Sequence, residues 1–359
     1  SVRGEMVSPL KRLSGPEGWR LRGASEGVPV ASSQRLVELI RPTLPNPNLS
    51  KELEATPIFV VALDTDEGRW NVRRLTHQLA QQGLSDIRWW NATDARMGLY
   101  CGGAVAKGGV TFRYSARPLT RSELAIRDSL RRLLLHAWYA GIERFILLED
   151  DAVPHCELRT RLAELLQAQP CGAWGQPSLT SGGRPGVFML GATCYALGNQ
   201  RVKASIQQKK RCYDASVATY GGFALFFRRD TIPAILRWLE QYGDPADNFF
   251  GFMNQQSGFL VQVAYPNLFA PELRHASTSN PWKKHDDEFV ERRMQNHHWN
   301  KTDYCGWPHD FQQEPSTAPW MLSRAVQQPL TAMTDNAQNY LLEVMGRMAP
   351  YNASAALQT

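Results

Sequence analysis

Apolar runs and polar interruptions alternate along the middle of this chain with two periods. "PIFVVAL" (57–63) is a short β-branched apolar run between Pro57 and Asp64, the pattern of a strand covered on both faces. In "WNVRRLTHQLAQQGL" (70–84), Val72, Leu75 and Leu79 recur at helical spacing, and Gly83 is the stop. "DIRWWNA" (86–92) reads as a second strand. Strand, helix and strand within about 35 residues make a βαβ unit, which predicts a parallel sheet with helices on its faces. "LTRSELAIRDSLRRLLLHAWYAG" (119–141) is an amphipathic helix that opens on a capping box, Thr120 with Glu123, and ends at Gly141. "RFILLEDD" (144–151) follows as a strand.

Further strands are predicted in "VFMLGATCYAL" (187–197), "YGGFALFF" (220–227) and "FLVQVAYPNLFAPE" (259–272), the last running into a proline-flanked loop. A helix, a turn and a second helix follow Phe227. The glycine-rich "GLYCGGAVAKGGV" (98–110) lacks the spacing and following helix of a phosphate fingerprint and reads as a plain loop. These elements predict an α/β domain over 56–280, preceded by an irregular Pro- and Gly-containing arm or stem (1–55). A polar, aromatic extension (281–359) packs on the domain and holds a last helix candidate at 334–348. Within the extension, "HDDE" (285–288) reads as a solvated acidic patch, and Trp282, Trp299 and Trp307 as packing or as a sugar-stacking platform.

Composition adds little. The chain has 359 residues, 43% apolar and 21% charged, and a formal charge of +6, which excludes a mainly disordered chain. Lys and Arg are dispersed among acids, so no nucleic-acid partner is expected. No apolar run approaches the roughly 20 residues that span a bilayer. Six cysteines without a CxxC pair argue against structural zinc and leave disulfides open. Asn-x-Ser/Thr sequons begin at Asn48, Asn91, Asn300 and Asn352. A secretory location is favoured over the cytoplasm. A chain beginning with Ser1 leaves room upstream for a leader or membrane anchor.

The chemistry concentrates at 149–151. A buried strand that ends in Glu149, Asp150 and Asp151 places three like charges at the carboxyl edge of a sheet, where α/β folds bind ligands. Their repulsion is relieved by a cation. Carboxylate oxygens suit Mg²⁺ or Mn²⁺, ions that bridge carboxylates to substrate phosphates. The alternative is a solvated acidic loop or a helix start enriched in acids.

From Ile58 to Ser279 the chain resembles the glycosyltransferase family of bacterial lipooligosaccharide galactosyltransferases and animal procollagen galactosyltransferases. Five ordered landmarks carry the resemblance. They are "IFVVALDTDEGRWNVRRL", "SELAIRDSL", "LLEDDAV", "YGGFALFFRRDTIPAIL", and "DPADNFF" followed by "VAYPNLFAPELRHASTS". The family pattern is departed from at Ala62 (Asn), Ser122 (Gly), Leu130 (His), and Ser277–Thr278 (Ser-Asp), which marks a distant member.

The resemblance implies a GT-A-like, Rossmann-type nucleotide-sugar-binding domain with a mostly parallel sheet. It also implies a UDP-hexose donor, a hydroxyl acceptor on a glycan, lipid or protein, and transfer with inversion. It places Glu149 on the donor's ribose or sugar and Asp151 on the metal, with Asp150 able to do either. Asp247 is the first candidate for the general base, against a helix N-cap role, with Asp244 second. His275 is a candidate to complete the metal sphere. Arg73 and Arg74 are candidates for the diphosphate, against a solvated helix face. Glu123 is a candidate for donor or acceptor hydroxyls, against its capping box. Tyr220 and Gly222 are candidates for close approach to the donor, against packing relief. Rival readings are an inactive scaffold of the same fold, a metal-dependent nucleotidyltransferase, and a glycosyltransferase acting on DNA bases.

Overall fold

In the computed structural model, residues 53–97, 119–167, 186–194, 211–216, 219–241, 259–273 and 287–305 are described, with 203, 204, 208, 245, 246 and 250. The glycine-rich loop at 98–110, the helix candidate at 334–348, and Trp282 and Trp307 lie outside them. So does the arm up to residue 52.

Strand β1 (Ile58–Ala62) leads into helix α1 (Asp66–Gln81) and strand β2 (Ile87–Asn91). Helix α1 begins four residues before the apolar spacing does. Thr65 is its N-cap and accepts from the Gly68 amide at 3.1 Å, and Asp66 and Glu67 complement the N-terminal dipole. Gly83 ends it with a φ of +76°, a conformation that favours glycine. Helix α2 (Arg121–Tyr139) carries the expected capping box at Thr120 and Glu123. Strands β3 (Arg144–Glu149) and β4 (Ala152–Pro154), helix α3 (Leu158–Gln167), and strands β5 (Gly186–Cys194), β6 (Cys212–Asp214) and β7 (Thr219–Arg228) follow. Helix α4 (Ile232–Gln241), strands β8 (Leu260–Ala264) and β9 (Phe269–Pro271), and helix α5 (Asp287–His297) complete the order.

The fold is mixed α/β around a seven-stranded sheet in the order β2-β1-β3-β7-β5-β8-β6. The pairs β2·β1, β1·β3 and β5·β8 are parallel; β3·β7, β7·β5 and β8·β6 are antiparallel. Strands β1, β2, β3, β5 and β8 therefore share one direction and β6 and β7 oppose it, so the sheet is mostly parallel in strand direction. Alternate residues feed two cores, as the period of two requires. Ile58, Val60, Ile146, Leu148, Ala224 and Phe226 face one side with Leu75 and Leu79 of α1, Leu162 of α3 and Val290 of α5. Phe59, Phe145, Leu147, Leu225 and Phe227 face the other with Leu133 and Leu134 of α2 and Ile235 and Leu239 of α4. Each such side chain contributes about 1.5–3 kcal/mol on burial.

Two features depart from the expected elements. The stretch 259–272, foreseen as a strand running into a proline-flanked loop, holds a second short strand after the loop, and this β9 leaves the main sheet to pair antiparallel with β4. Gly191 of β5 admits it: a Cβ there would stand 2.5 Å from the Phe269 carbonyl oxygen. The acidic "HDDE" patch also changes meaning, since Asp287 and Glu288 form the first turn of α5, where acids favour the helix dipole. Its Val290, Met294 and the following Trp299 are buried, so period 3.6 is present in a stretch whose polar residues hide it. Trp299 packs edge-on against Phe223, with ring centroids 6.4 Å apart, and is a core residue.

The segment after α5 is tied back by a disulfide between Cys156 and Cys305, whose Cα atoms lie 4.8 Å apart. Backbone bonds flank it: the Cys156 amide donates to Asp303 O at 2.7 Å and the Cys305 amide to Pro154 O at 3.2 Å. Tyr304 is buried beside it, and its hydroxyl donates to Asn267 O at 3.1 Å. Cys212 is disulfide-bonded as well. Among the described residues, no helix is long and apolar enough to cross a membrane. Cys156→Ser is expected to lower unfolding stability by about 2–5 kcal/mol under non-reducing conditions, because the bridge closes a loop of 149 residues. Urea unfolding of variant and parent checks this, and the difference vanishes when the parent is reduced.

Candidate functional site

The order β2-β1-β3 fixes where a ligand crevice opens. From β1 the chain crosses to β2 on one side, and the next connection returns past β1 to β3 on the other. Such a reversal parts the loops above the carboxyl ends of β1 and β3, the place where open α/β sheets bind ligands. Val61 pairs with Glu149, so the acidic triplet stands level with the end of β1 and the start of the loop to α1.

The three acids point differently because the strand alternates up to its end. Asp150 turns towards α1, where Asn71 Nδ2 donates to its Oδ2 at 3.2 Å. Glu149 lies beside β7: a Cβ placed on Gly222 would be 3.7 Å from Glu149 Oε1, an ordinary contact distance. Gly221 has a φ of +101°, which a side chain would strain. Asp151 opens the turn into β4, and its backbone carbonyl accepts from the Glu272 amide at 2.8 Å. Its Oδ1 is enclosed with no hydrogen-bond donor in reach.

Beneath the turn lies the guanidinium of Arg74, which is buried with 7% of its surface exposed. Its Nη2 donates to Asp150 O at 2.8 Å and to Ala152 O at 3.2 Å. Arg74 therefore braces the backbone that carries the acids from below. Burial pulls it down to about 10, against the pull of Asp151, Asp150 and Glu272, so it stays charged at neutral pH. Burial pushes the Asp151 carboxyl up to about 7, the charge of Asp150 adds to this, and Arg74 opposes it. Burial also raises Asp150, which the Asn71 hydrogen bond counters. Three acidic side chains, Asp150, Asp151 and Glu272, thus lie near one guanidinium, and burial holds Asp150 and Asp151 above the usual carboxylate range.

This donor set suits a hard divalent cation, which takes one or two carboxylates and completes its sphere with water and ligand phosphates. Among the described residues, no group of three or more His, Cys, Asp or Glu side chains is placed so that it could hold a metal ion by itself.

The sequence-predicted residues separate clearly. Glu149, Asp150, Asp151 and Gly222 converge at the crevice, and Asn71 and Glu272 join them. Tyr220 lies on β7 two residues from Gly222, and its carbonyl accepts from Thr193 Oγ1 at 3.1 Å. Arg73 is exposed on α1, whereas Arg74 faces inward and bonds to main chain, the geometry of a brace. Glu123 sits in its capping box, where its carboxylate accepts from the Thr120 amide at 2.7 Å. Asp247, Asp244 and His275 lie outside the described residues. Asn71 and Glu272 escaped sequence reasoning. Asn71 and Arg74 stand three apart on α1 and so share a face, a spacing that was available as a signal. Glu272 had none, because it arrives through the β4·β9 pair.

No protein-family model matches the chain, and no curated protein is significantly similar to it. Among solved structures, the apo form of mouse xyloside xylosyltransferase 1 aligns over 68% of this chain and 93% of that one, with 10% identity and a TM-score of 0.29. A likeness at that level defines neither fold nor activity.

Arg74→Met is expected to destabilise the protein by about 3–5 kcal/mol, because it leaves buried carboxylates uncompensated. Arg73→Ala is expected to stay within about 0.5 kcal/mol of the parent. Urea unfolding of both variants checks the contrast.

Proposed function

We propose that the chain is a metal-dependent glycosyltransferase that moves a hexose from a UDP-sugar to a hydroxyl acceptor. The observation that carries the reading is the placement of Glu149, Asp150 and Asp151 at the carboxyl ends of β1 and β3, with one Asp151 oxygen enclosed and unmatched. The ordered landmarks from Ile58 to Ser279 support the donor class. They also support membership, as a distant relative, of the galactosyltransferase family they resemble.

Asp151 is assigned to hold Mn²⁺ or Mg²⁺, with Glu149 or His275 as a second ligand. A bound ion would neutralise charge on the departing nucleoside diphosphate. Glu149 accepts hydrogen bonds from donor hydroxyls, and Asp150, steadied by Asn71, keeps the turn's shape. Gly222, beside Glu149, is assigned to lie against the donor sugar. Asp247 is assigned to take the proton of the acceptor hydroxyl, which inversion in a single displacement requires. A second reading, an inactive scaffold of the same fold, draws on the open arrangement of the described carboxylates, which needs a ligand to complete any metal sphere.

A thermal-shift panel of UDP-galactose, UDP-glucose and other nucleotide sugars, with and without Mn²⁺, tests the proposal. Stabilisation by a UDP-hexose only when Mn²⁺ is present is expected, about 2.7 kcal/mol at a hundredfold excess over Kd. Asp151→Asn should remain folded and lose both that response and sugar transfer. No response to any nucleotide sugar, or full turnover in Asp151→Asn, overturns it.

A further inference from the structure

Four sequons occur along the chain, at Asn48, Asn91, Asn300 and Asn352, and two of them, at Asn91 and Asn300, fall on described residues. They differ in what the fold does with them. Asn91 ends β2, and its Thr93 is committed elsewhere: Thr93 Oγ1 donates to Asp128 Oδ2 at 2.5 Å and accepts from Arg132 Nη2 at 2.9 Å. Asn300, Lys301 and Thr302 are all exposed. Asn300 caps a short turn, its Oδ1 accepting from the Thr302 amide at 3.4 Å and its Nδ2 reaching Asp303 Oδ1 at only 3.3 Å.

A second, independent observation fixes the setting of this turn. It ends at Cys305, which is bonded to Cys156. Structural disulfides form and persist in oxidising compartments, the lumen through which N-glycosylated proteins also pass. The bridge spans a sequence separation of 149 and ties the turn to the start of α3. In the folded chain the sequon faces solvent, which leaves room for a bulky polar group.

We propose that Asn300 carries an N-linked glycan. The co-substrate is an oligosaccharide joined through its C1 to a lipid pyrophosphate. The Nδ2–C1 bond forms and the C1–O bond to pyrophosphate breaks. The pyrophosphate leaves with that electron pair, and the amide nitrogen gives up one proton. The inference is independent of the glycosyltransferase proposal, since it concerns modification of this chain and not its catalysis.

The full chain, directed into the secretory pathway of animal cells, is purified and treated with peptide N-glycanase in ¹⁸O-water. The peptide spanning Asn300 is then read by mass spectrometry. Conversion of Asn300 to ¹⁸O-labelled Asp is expected. Asn300→Gln and Thr302→Ala should each lose one glycan-dependent step in gel mobility, and Thr302→Ser should keep it. Recovery of an unmodified Asn300 peptide from chains in which Cys156 and Cys305 are bonded overturns the proposal. So does finding those cysteines reduced in the lumenal protein, because the oxidising setting is then lost.

Discussion

A single guanidinium under a turn of acids organises the crevice end of this molecule. Arg74 arrives from α1, the helix between the first two strands, and its Nη2 binds the carbonyls of Asp150 and Ala152. Those two residues bracket Asp151, so the brace sets where that carboxylate stands. Removing a charged group from water is costly, and Arg74 accepts that cost because the surrounding carboxylates repay it in a low-dielectric setting. The consequence is a fixed positive charge set beneath a turn of acidic side chains.

The rest of the fold brings the participants together. Packing on both faces of the sheet holds β1 and β3 in register, which keeps Glu149 level with Val61. The β4·β9 pair carries Glu272 to the Asp151 backbone, and Gly191 lets that pair lie close over β5. Trp299 leans on Phe223, whose ring stands against the Gly221 position, so the C-terminal segment supports the glycine turn beside Glu149. The Cys156–Cys305 bridge anchors that segment. A chain of named contacts thus runs from residue 305 to the neighbourhood of residue 149.

Much of the frame was legible in the sequence because periodicity reports burial. The runs at 57–63, 144–149 and 220–227 are apolar on both faces and became central strands, and the acidic ending of the second marked the crevice. Pairings that depend on distant segments left no such mark. Nothing in "FAPE" predicts that Phe269–Pro271 would leave the sheet for β4, and the polar faces of α5 masked its short apolar stripe. Arg73 and Arg74 look alike in sequence, yet a step of about 100° around the helix exposes one and buries the other. The face that α1 turns to the Asp150–Ala152 backbone decides which.

The most direct measurement is a crystal of the protein grown or soaked with UDP and Mn²⁺ and examined at the manganese absorption edge. An anomalous peak in contact with the Asp151 carboxylate and with an oxygen of the diphosphate is the predicted result. Ordered UDP with only water beside Asp151, or no nucleotide in the β1/β3 crevice at saturating concentration, would contradict the account.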